Sequence, residues 1–430
     1  MKIAVAGLWH LGTVTAACVA AAGHSVTAYD DNTEVVQRLR DGHLPVAEPG
    51  LDQLVQEQTS RARLRFTDNP ADLAGNEVLW ICWDTPVDDN DTADVEFVVQ
   101  RVLSLLPKLD DGTLVLISSQ LPVGSTARLE AEYGKRSKPG TLHFACSPEN
   151  LRLGKAIDVF QHPERVVVGA RIQEDRDRLG KIFETFTDRV EWMSVESAEM
   201  TKHALNAFLA TSVSFINEIA ALCEKTGADA ADVARGLKSE ARIGPRAYLH
   251  PGTAFAGGTL ARDIAFLRGI GNRLGTPTSL LDGVQQSNNL HKEWALWRIS
   301  ELLGDPGGKT IAVLGLTYKP GTNTLRRSSA VELCRSLARA GARIQGYDPA
   351  LTTLPEEAAG LLELAVSAVD ALAGADAAFI SGDWPEFRSL TASSFVERMH
   401  KPVVLDPTRV LESALSSDTR IQYTAVGKAT

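Results

Sequence analysis

The residues best placed for chemistry begin at position 7. An apolar run, Ile3 to Ala6, leads into Gly7-Leu8-Trp9-His10-Leu11-Gly12, read as a turn. A small-residue, helix-compatible stretch follows from Thr13 to Ala22, Gly23-His24 breaks it, and Ser25 to Tyr29 reads as a second strand ending at Asp30. Glycines in such a turn let backbone N–H groups approach a pyrophosphate, and a helix N-terminus favours its charge. Asp30 lies 18 residues after Gly12, close to the spacing of a carboxylate that takes the adenosine ribose hydroxyls. Its charge repels the extra phosphate of NADP, so the expected cofactor is NAD. Trp9 stands where the middle glycine of the motif belongs and is expected to push the pyrophosphate slightly outward.

A second set of chemical groups lies in the stretch from about Ser194 to Lys225, which has no Pro and no Gly and repeats its apolar residues at helical spacing. Lys202 and Asn206 are four apart, hence on one helix face. An amide on an apolar stripe needs a hydrogen-bond partner. The five cysteines, at 18, 82, 146, 223 and 334, form no C-x-x-C pair. Scattered and odd in number, they argue against a disulfide framework or a structural zinc site and read as buried, reduced thiols. No metal is expected.

These groups need elements to hold them. Strand-like runs recur at Val78–Trp83, Thr113–Ser118, Leu142–Cys146 and Arg165–Val168, separated by helical stretches, which predicts a parallel sheet covered on both faces. The helix after Ser194 would span about 45 Å, long enough to join domains or form a dimer face. Gly304-Asp305-Pro306-Gly307-Gly308 reads as a linker. A second strand–turn–helix–strand unit opens at Lys309 and repeats the first in outline: A-V-A-G-L and A-V-L-G-L, then Y-D-D and Y-D-P. The chain of 430 residues is too long for one core. Its net charge of −10 argues against general nucleic-acid binding. No uninterrupted run of about 18 apolar residues occurs, so no membrane span is expected. The opening M-K-I-A-V-A is needed as a strand, so it reads as a cytoplasmic start, not a signal peptide.

Segments in order along the whole chain resemble the UDP-glucose/GDP-mannose dehydrogenase family: Y-D-D-N, G-H-L-P-V-A-E-P-G-L, D-T-P at 84–86, Q-L-P-V-G-S-T, S-P-E-N-L-R, the long stretch from Glu199 to Asp263, and A-V-L-G-L-T-Y-K-P-G-T-N-T-L-R-R-S-S-A. The resemblance implies an α/β fold: two Rossmann-like doubly wound domains joined by a long central helix and a helical dimerisation region. The expected divisions are an NAD domain at 1–193, a central domain at 194–303 and a nucleotide-diphosphate (UDP-type) domain at 309–430. It implies a homodimer and oxidation of the C6 alcohol of a nucleotide-linked hexose to a carboxylate, with two NAD and a cysteine thiohemiacetal. Residue by residue, it gives Glu149 a place near the reacting carbon, Lys202 and Asn206 the oxyanion, and Asp263 general-base work through a water. Arg242 would reach a neighbouring subunit's substrate. The substrate set is completed by Asn150, Leu151, Tyr248, Phe255, Gly257 and Lys319. The cofactor set is Gly7, Trp9, Leu11, Gly12, Asp30, Thr85, Pro86, Gln120 and Arg326.

The chain departs from the family at the reacting end. The family's F-G-G-S-C-F-P-K-D reads F-A-G-G-T-L-A-R-D at 255–263, so Thr259 stands at the nucleophilic cysteine. A free thiol ionises at about 8.5, whereas a threonine hydroxyl needs a dedicated base. Gln120, Asn150, Leu153, Arg262, Asn323 and Thr324 also replace family residues. Near the end, D-G-R reads D-P-T at Asp406 to Thr408, with Arg409 one residue beyond. The retained residues are those that oxidise an alcohol. The expected activity is therefore oxidation of a primary alcohol on a nucleotide-linked sugar or related conjugate, stopping at the aldehyde. The alternatives are a four-electron 6-dehydrogenase that tolerates Thr259, an acid-forming route through the aldehyde hydrate, and a non-catalytic nucleotide-sugar-binding relative.

Overall fold

The computed structural model describes residues 1–88, 92–136, 142–149, 151–256, 258–322 and 324–429. It divides into two compact units, Met1–Leu205 and Asn206–Thr430.

The first unit holds eight strands: β1 (Lys2–Ala6), β2 (Ser25–Tyr29), β3 (Leu64–Thr67), β4 (Val78–Ile81), β5 (Leu114–Ile117), β6 (His143–Cys146), β7 (Val166–Ala170) and β8 (Val190–Met193). They form one sheet in the order β3-β2-β1-β4-β5-β6-β7-β8. Pairing is parallel except between β6 and β7. Both faces are covered, which is why the strands are apolar at nearly every position. Ile3, Val5 and Trp80 enter one core, while Ala4, Leu79 and Ile81 enter the other. The order reverses between β1 and β4, and crevices for ligands open beyond strand carboxyl ends at such a reversal. Strands β3 and β8 are absent from the sequence reading; each is four residues long and carries charge.

The first helix is His10–Ala21 and starts three residues earlier than expected. Gly12 is therefore not part of the turn but the place where helix and turn touch: a Cβ there would come 1.7 Å from Gly7 O.

The second unit contains β9 (Thr310–Leu314), β10 (Arg343–Tyr347), β11 (Glu363–Leu364), β12 (Ala377–Ile380), β13 (Val403–Leu405) and β14 (Gln422–Thr424). Their order is β11-β10-β9-β12-β13-β14, parallel throughout. Ile311 and Val313 point into one core and Ala312 and Leu314 into the other. The expected repetition extends to single bonds. Gly7 N–H donates to Tyr29 O at 2.9 Å, and Gly315 N–H to Tyr347 O at 2.8 Å. Leu8 N–H donates to the Asp30 carboxylate at 2.6 Å, and Leu316 N–H to that of Asp348 at 2.8 Å.

The long helix is Val195–Thr226, 32 residues. By length and composition it is apolar enough to cross a bilayer, which corrects the expectation that no such segment exists. Asn206, Ser212, Ser214 and Asn217 interrupt the apolar run in sequence without removing its apolar average. The helix spends much of that apolar surface inside the second unit. Ala207 and Ala210 pack with Phe255 and Ile264, Ile216 with Ala234 and Leu249, and Ala220 and Cys223 join the core beneath β9. On its outer face Phe208, Phe215 and Leu222, seven residues apart, are 68%, 46% and 62% exposed.

Candidate active site

The glycine turn is built by steric necessity. Gly7 has φ +94, and a Cβ on it would lie 2.5 Å from Trp83 N. Trp9 has φ −85 and needs no glycine; its indole is half-exposed just before the first helix. Asp30 is buried at the end of β2, where Oδ2 accepts from Leu8 N–H at 2.6 Å and Oδ1 from Asn32 N–H at 3.0 Å. Burial raises its pKa above the ordinary carboxylate value, and the two N–H donors offset part of that. An ionised carboxylate has about four acceptor positions, so Asp30 braces the turn and retains capacity for ribose hydroxyls. The close-packed glycines, the helix N-terminus and this carboxylate fit a dinucleotide. Leu11 is buried in the core of the first unit. Thr85 Oγ1 donates to Gln120 O at 2.7 Å, tying the segments after β4 and β5, while Pro86 is exposed.

The same unit holds Lys202 and Glu149. The Lys202 ammonium donates to Glu149 O at 2.7 Å and lies 3.9 Å from Glu149 Oε1. Glu149 Oε2 in turn accepts from Leu151 N–H at 2.6 Å. Two residues missed by the sequence reading hold the long helix here. Glu199 accepts from Gly124 N–H at 2.6 Å, Thr126 N–H at 3.0 Å and Thr126 Oγ1 at 2.7 Å. His203 bonds Leu121 O at 2.9 Å. The helix Ser125–Arg136 has no acidic residue in its own first turn, and a carboxylate from elsewhere suits its dipole. That lack was the available signal for Glu199.

In the second unit Asn206 donates through Nδ2 to Oδ2 of Asp263, and both are buried. Asp263 sits one turn into the helix Thr259–Leu274, whose exposed first residue is Thr259. The loop before this helix is pinned by polar residues that the sequence reading passed over. Asn217 Oδ1 accepts from Gly252 N–H at 3.0 Å, and His291 bonds Gly252 O at 2.7 Å. Asn288 holds Phe255 on both backbone sides, accepting from N–H and donating to O at 2.9 Å each. The ring of Phe255 packs into the apolar cluster with Ala207 and Ile264. Asn217 and Asn288, like Asn206, are helix amides among apolar neighbours, and buried amides need partners, which is the signal each carries in the sequence.

Among the basic residues, Arg326 is exposed, whereas Arg327, at φ +62, has its guanidinium beside Gly258: a Cβ on Gly258 would lie 3.0 Å from Nη1. Lys319 is half-buried, and its carbonyl accepts from Thr322 Oγ1 at 2.7 Å. Arg242 is exposed and bonds Glu240 at 2.9 Å, which holds that carboxyl below its ordinary range. Tyr248 is exposed. Arg409 grips both oxygens of Asp229, at 3.0 and 2.8 Å, so its guanidinium is engaged in an ion pair. Asn150 and Gly257 lie outside the described residues. Among the described residues no group of three or more His, Cys, Asp or Glu is arranged to hold a metal ion.

Comparison with known proteins agrees with this arrangement. Residues 1–187 match the NAD binding domain of the UDP-glucose/GDP-mannose dehydrogenase family, 196–290 its central domain and 312–413 its UDP binding domain. The UDP-glucose 6-dehydrogenase of Pseudomonas aeruginosa is 33% identical over 443 residues, covering 100% of this chain and 98% of that protein. That of Haloferax volcanii is 34% identical over 424 residues, covering 96% and 97%. The solved UDP-glucose dehydrogenase of Pyrobaculum islandicum superposes with a TM-score of 0.88 at 28% identity, covering 100% of this chain and 98% of that one. The chain belongs to the UDP-glucose/GDP-mannose dehydrogenase family, as an NAD-dependent oxidoreductase acting on a CH–OH group.

Proposed function

We propose that the protein oxidises a primary, C6-type alcohol of a nucleotide-linked sugar and stops at the aldehyde. The observation that carries this reading is the state of its thiols. All five cysteines are buried. Burial pushes Cys18 and Cys334 up to about 12 and raises Cys82, Cys146 and Cys223 as well. No thiolate is then at hand near neutral pH to replace the one missing at Thr259. Thr259 itself carries a hydroxyl of far lower acidity.

Alcohol oxidation asks for less. Lys202 and Asn206, one turn apart on one helix, supply a cation and an amide donor for the oxygen as it gains negative charge. Asp263 takes the hydroxyl proton through a water. NAD, when bound, supplies the hydride acceptor. Glu149, which holds Lys202 by its carbonyl, sets where that ammonium points. A further hydride from the aldehyde carbon requires that carbon to carry an added nucleophile first, and Thr259 is poorly suited to add.

The substrate reading rests on the UDP binding domain match and on the similarity to UDP-glucose 6-dehydrogenases. A homodimer belongs to the same reading, supported by the exposed Phe208, Phe215 and Leu222 on one helix face, a patch that water does not favour. The test is a panel of UDP-sugars, UDP-glucose first, scored for NADH per product with a hydrazine present to trap aldehyde. One NADH and a trapped hydrazone are expected. Two NADH and a carboxylate from the native protein would sink the two-electron reading.

A further inference from the structure

Glu48 stands in the E-P-G of G-H-L-P-V-A-E-P-G-L, just before the helix Leu51–Ser60, and its side chain is 1% exposed. Three donors converge on it from two distant segments. Oε2 accepts from His10 Nε2 at 2.9 Å and from Gly154 N–H at 2.8 Å, and Oε1 accepts from Ala156 N–H at 2.8 Å. His10 is the first residue of the helix that follows the glycine turn. Gly154 and Ala156 belong to the segment that continues from Glu149 and Leu151. Burial by itself raises a carboxyl pKa, yet the bonds from Gly154, His10 and Ala156 outweigh it and hold Glu48 below the ordinary glutamate value. The carboxylate is thus charged, buried and held by three donors, one of them a side chain, and bonds to an ionised acceptor are the strong ones.

A role confined to closing the start of the six-residue helix Ala156–Gln161 explains the bonds to Gly154 and Ala156. It does not require His10, a third donor that comes from the helix after the glycine turn and ties that helix to the 154–156 backbone through one carboxylate. The bond to His10 makes sense as a connection. A group docking on the glycine turn fixes the first turn of the helix, hence His10, hence the carboxylate that holds the 154–156 backbone.

We propose that Glu48 is a positioning residue which, through His10, transmits occupancy of the dinucleotide turn to residues 151–156, so that cofactor binding orders the nucleotide-sugar segment. This rests on the reading of Leu151, at the head of that segment, as a substrate residue, which the family resemblance implies. Coupling of this kind is reciprocal: a nucleotide-sugar on 151–156 tightens the cofactor by the same factor.

Hydrogen exchange on the full-length protein, with NADH as the probe, reads the connection without catalysis. Bound NADH, verified by its own fluorescence, is expected to slow exchange at the Gly154 and Ala156 amides by about tenfold, within the usual range of coupling between sites. His10→Phe removes the donor but not the packing, so NADH should bind and the slowing vanish. His10→Gln restores a donor near the position of Nε2 and should restore the slowing, which a merely space-filling role for His10 does not predict. Equal slowing in His10→Phe, or none in the wild type with NADH bound, overturns the proposal. A parallel titration with UDP-glucose tests the substrate reading separately. If UDP-glucose neither binds nor protects 151–156, that reading fails while the NADH arm still decides the coupling.

Discussion

Asn206 and Asp263, 57 positions apart, are joined by a hydrogen bond from the amide Nδ2 to the carboxylate Oδ2, with Asp263 fully buried. The pair fastens the long helix to the helix that begins at Thr259. Removing the donor takes one hydrogen bond from a buried carboxylate, a cost of about 1–3 kcal/mol or more for a charged group. Asn206→Leu is therefore expected to lower the unfolding free energy by that amount, read as a lower urea midpoint, while Asp263→Asn, which keeps an acceptor oxygen, should cost less. An unchanged midpoint for Asn206→Leu would remove the bond from the account of stability.

Lys202→Ala should reduce alcohol oxidation by about a hundredfold or more, as loss of an oxyanion partner usually does. Thr259→Ala should cost little, and Thr259→Cys should raise the share of acid product. Initial rates and product analysis on the same nucleotide-sugar separate these outcomes. A large rate loss in Thr259→Ala would mean that the hydroxyl takes part directly.

NADH is expected to bind more tightly than NADPH, because a ribose 2′-phosphate would face the Asp30 carboxylate. Asp30→Ala should narrow the gap. Since Asp30 also holds Leu8 and Asn32 N–H, the same change should weaken NADH itself. Fluorescence titration with both cofactors checks this, and equal or tighter NADPH binding by the wild type would refute the assignment.

Glu48 makes an acid-stability prediction whose sign follows from its lowered pKa. A folded-state value below the unfolded one gives stability that is present above the ordinary glutamate value of 4.5 and is lost as pH falls through the folded value. Glu48→Gln lacks the titrating group, so its stability should fall less steeply with acid below that value. Urea unfolding at a series of pH values measures the slope, and parallel curves would show that Glu48 has the same pKa folded and unfolded.

Phe215→Glu places a charge in the middle of the exposed stripe of the long helix and should shift the protein from dimer to monomer of 46.3 kDa. Light scattering decides it. A wild type that is already a stable, active monomer would end the dimer reading.

Much of this was legible in the sequence because it depends on neighbours in the chain. Unbroken apolar runs put β1, β4 and β5 in place, since a strand buried on both faces has few polar positions to interrupt it. Gly7, Gly12 and Asp30 announced the turn by spacing, and the second turn at Gly315 and Asp348 repeated it. The run without Pro or Gly after Ser194 declared the long helix. The family motifs are the ground for the proposal that puts Lys202, Asn206, Asp263 and Thr259 at the reacting end. What only the tertiary structure decided is which side chains hold those residues. Glu48 meets backbone donors 106 and 108 positions away, Glu199 meets them 73 and 75 positions away, and Asn288 grips Phe255 across 33. Arg409, one residue beyond the place of the family's arginine, is held by Asp229, 180 positions distant. Each of these depends on a long-range meeting, several with backbone N–H groups, which every residue but proline carries. A sequence gives such a donor no distinguishing mark, so its partner is known only once the chain has folded around it.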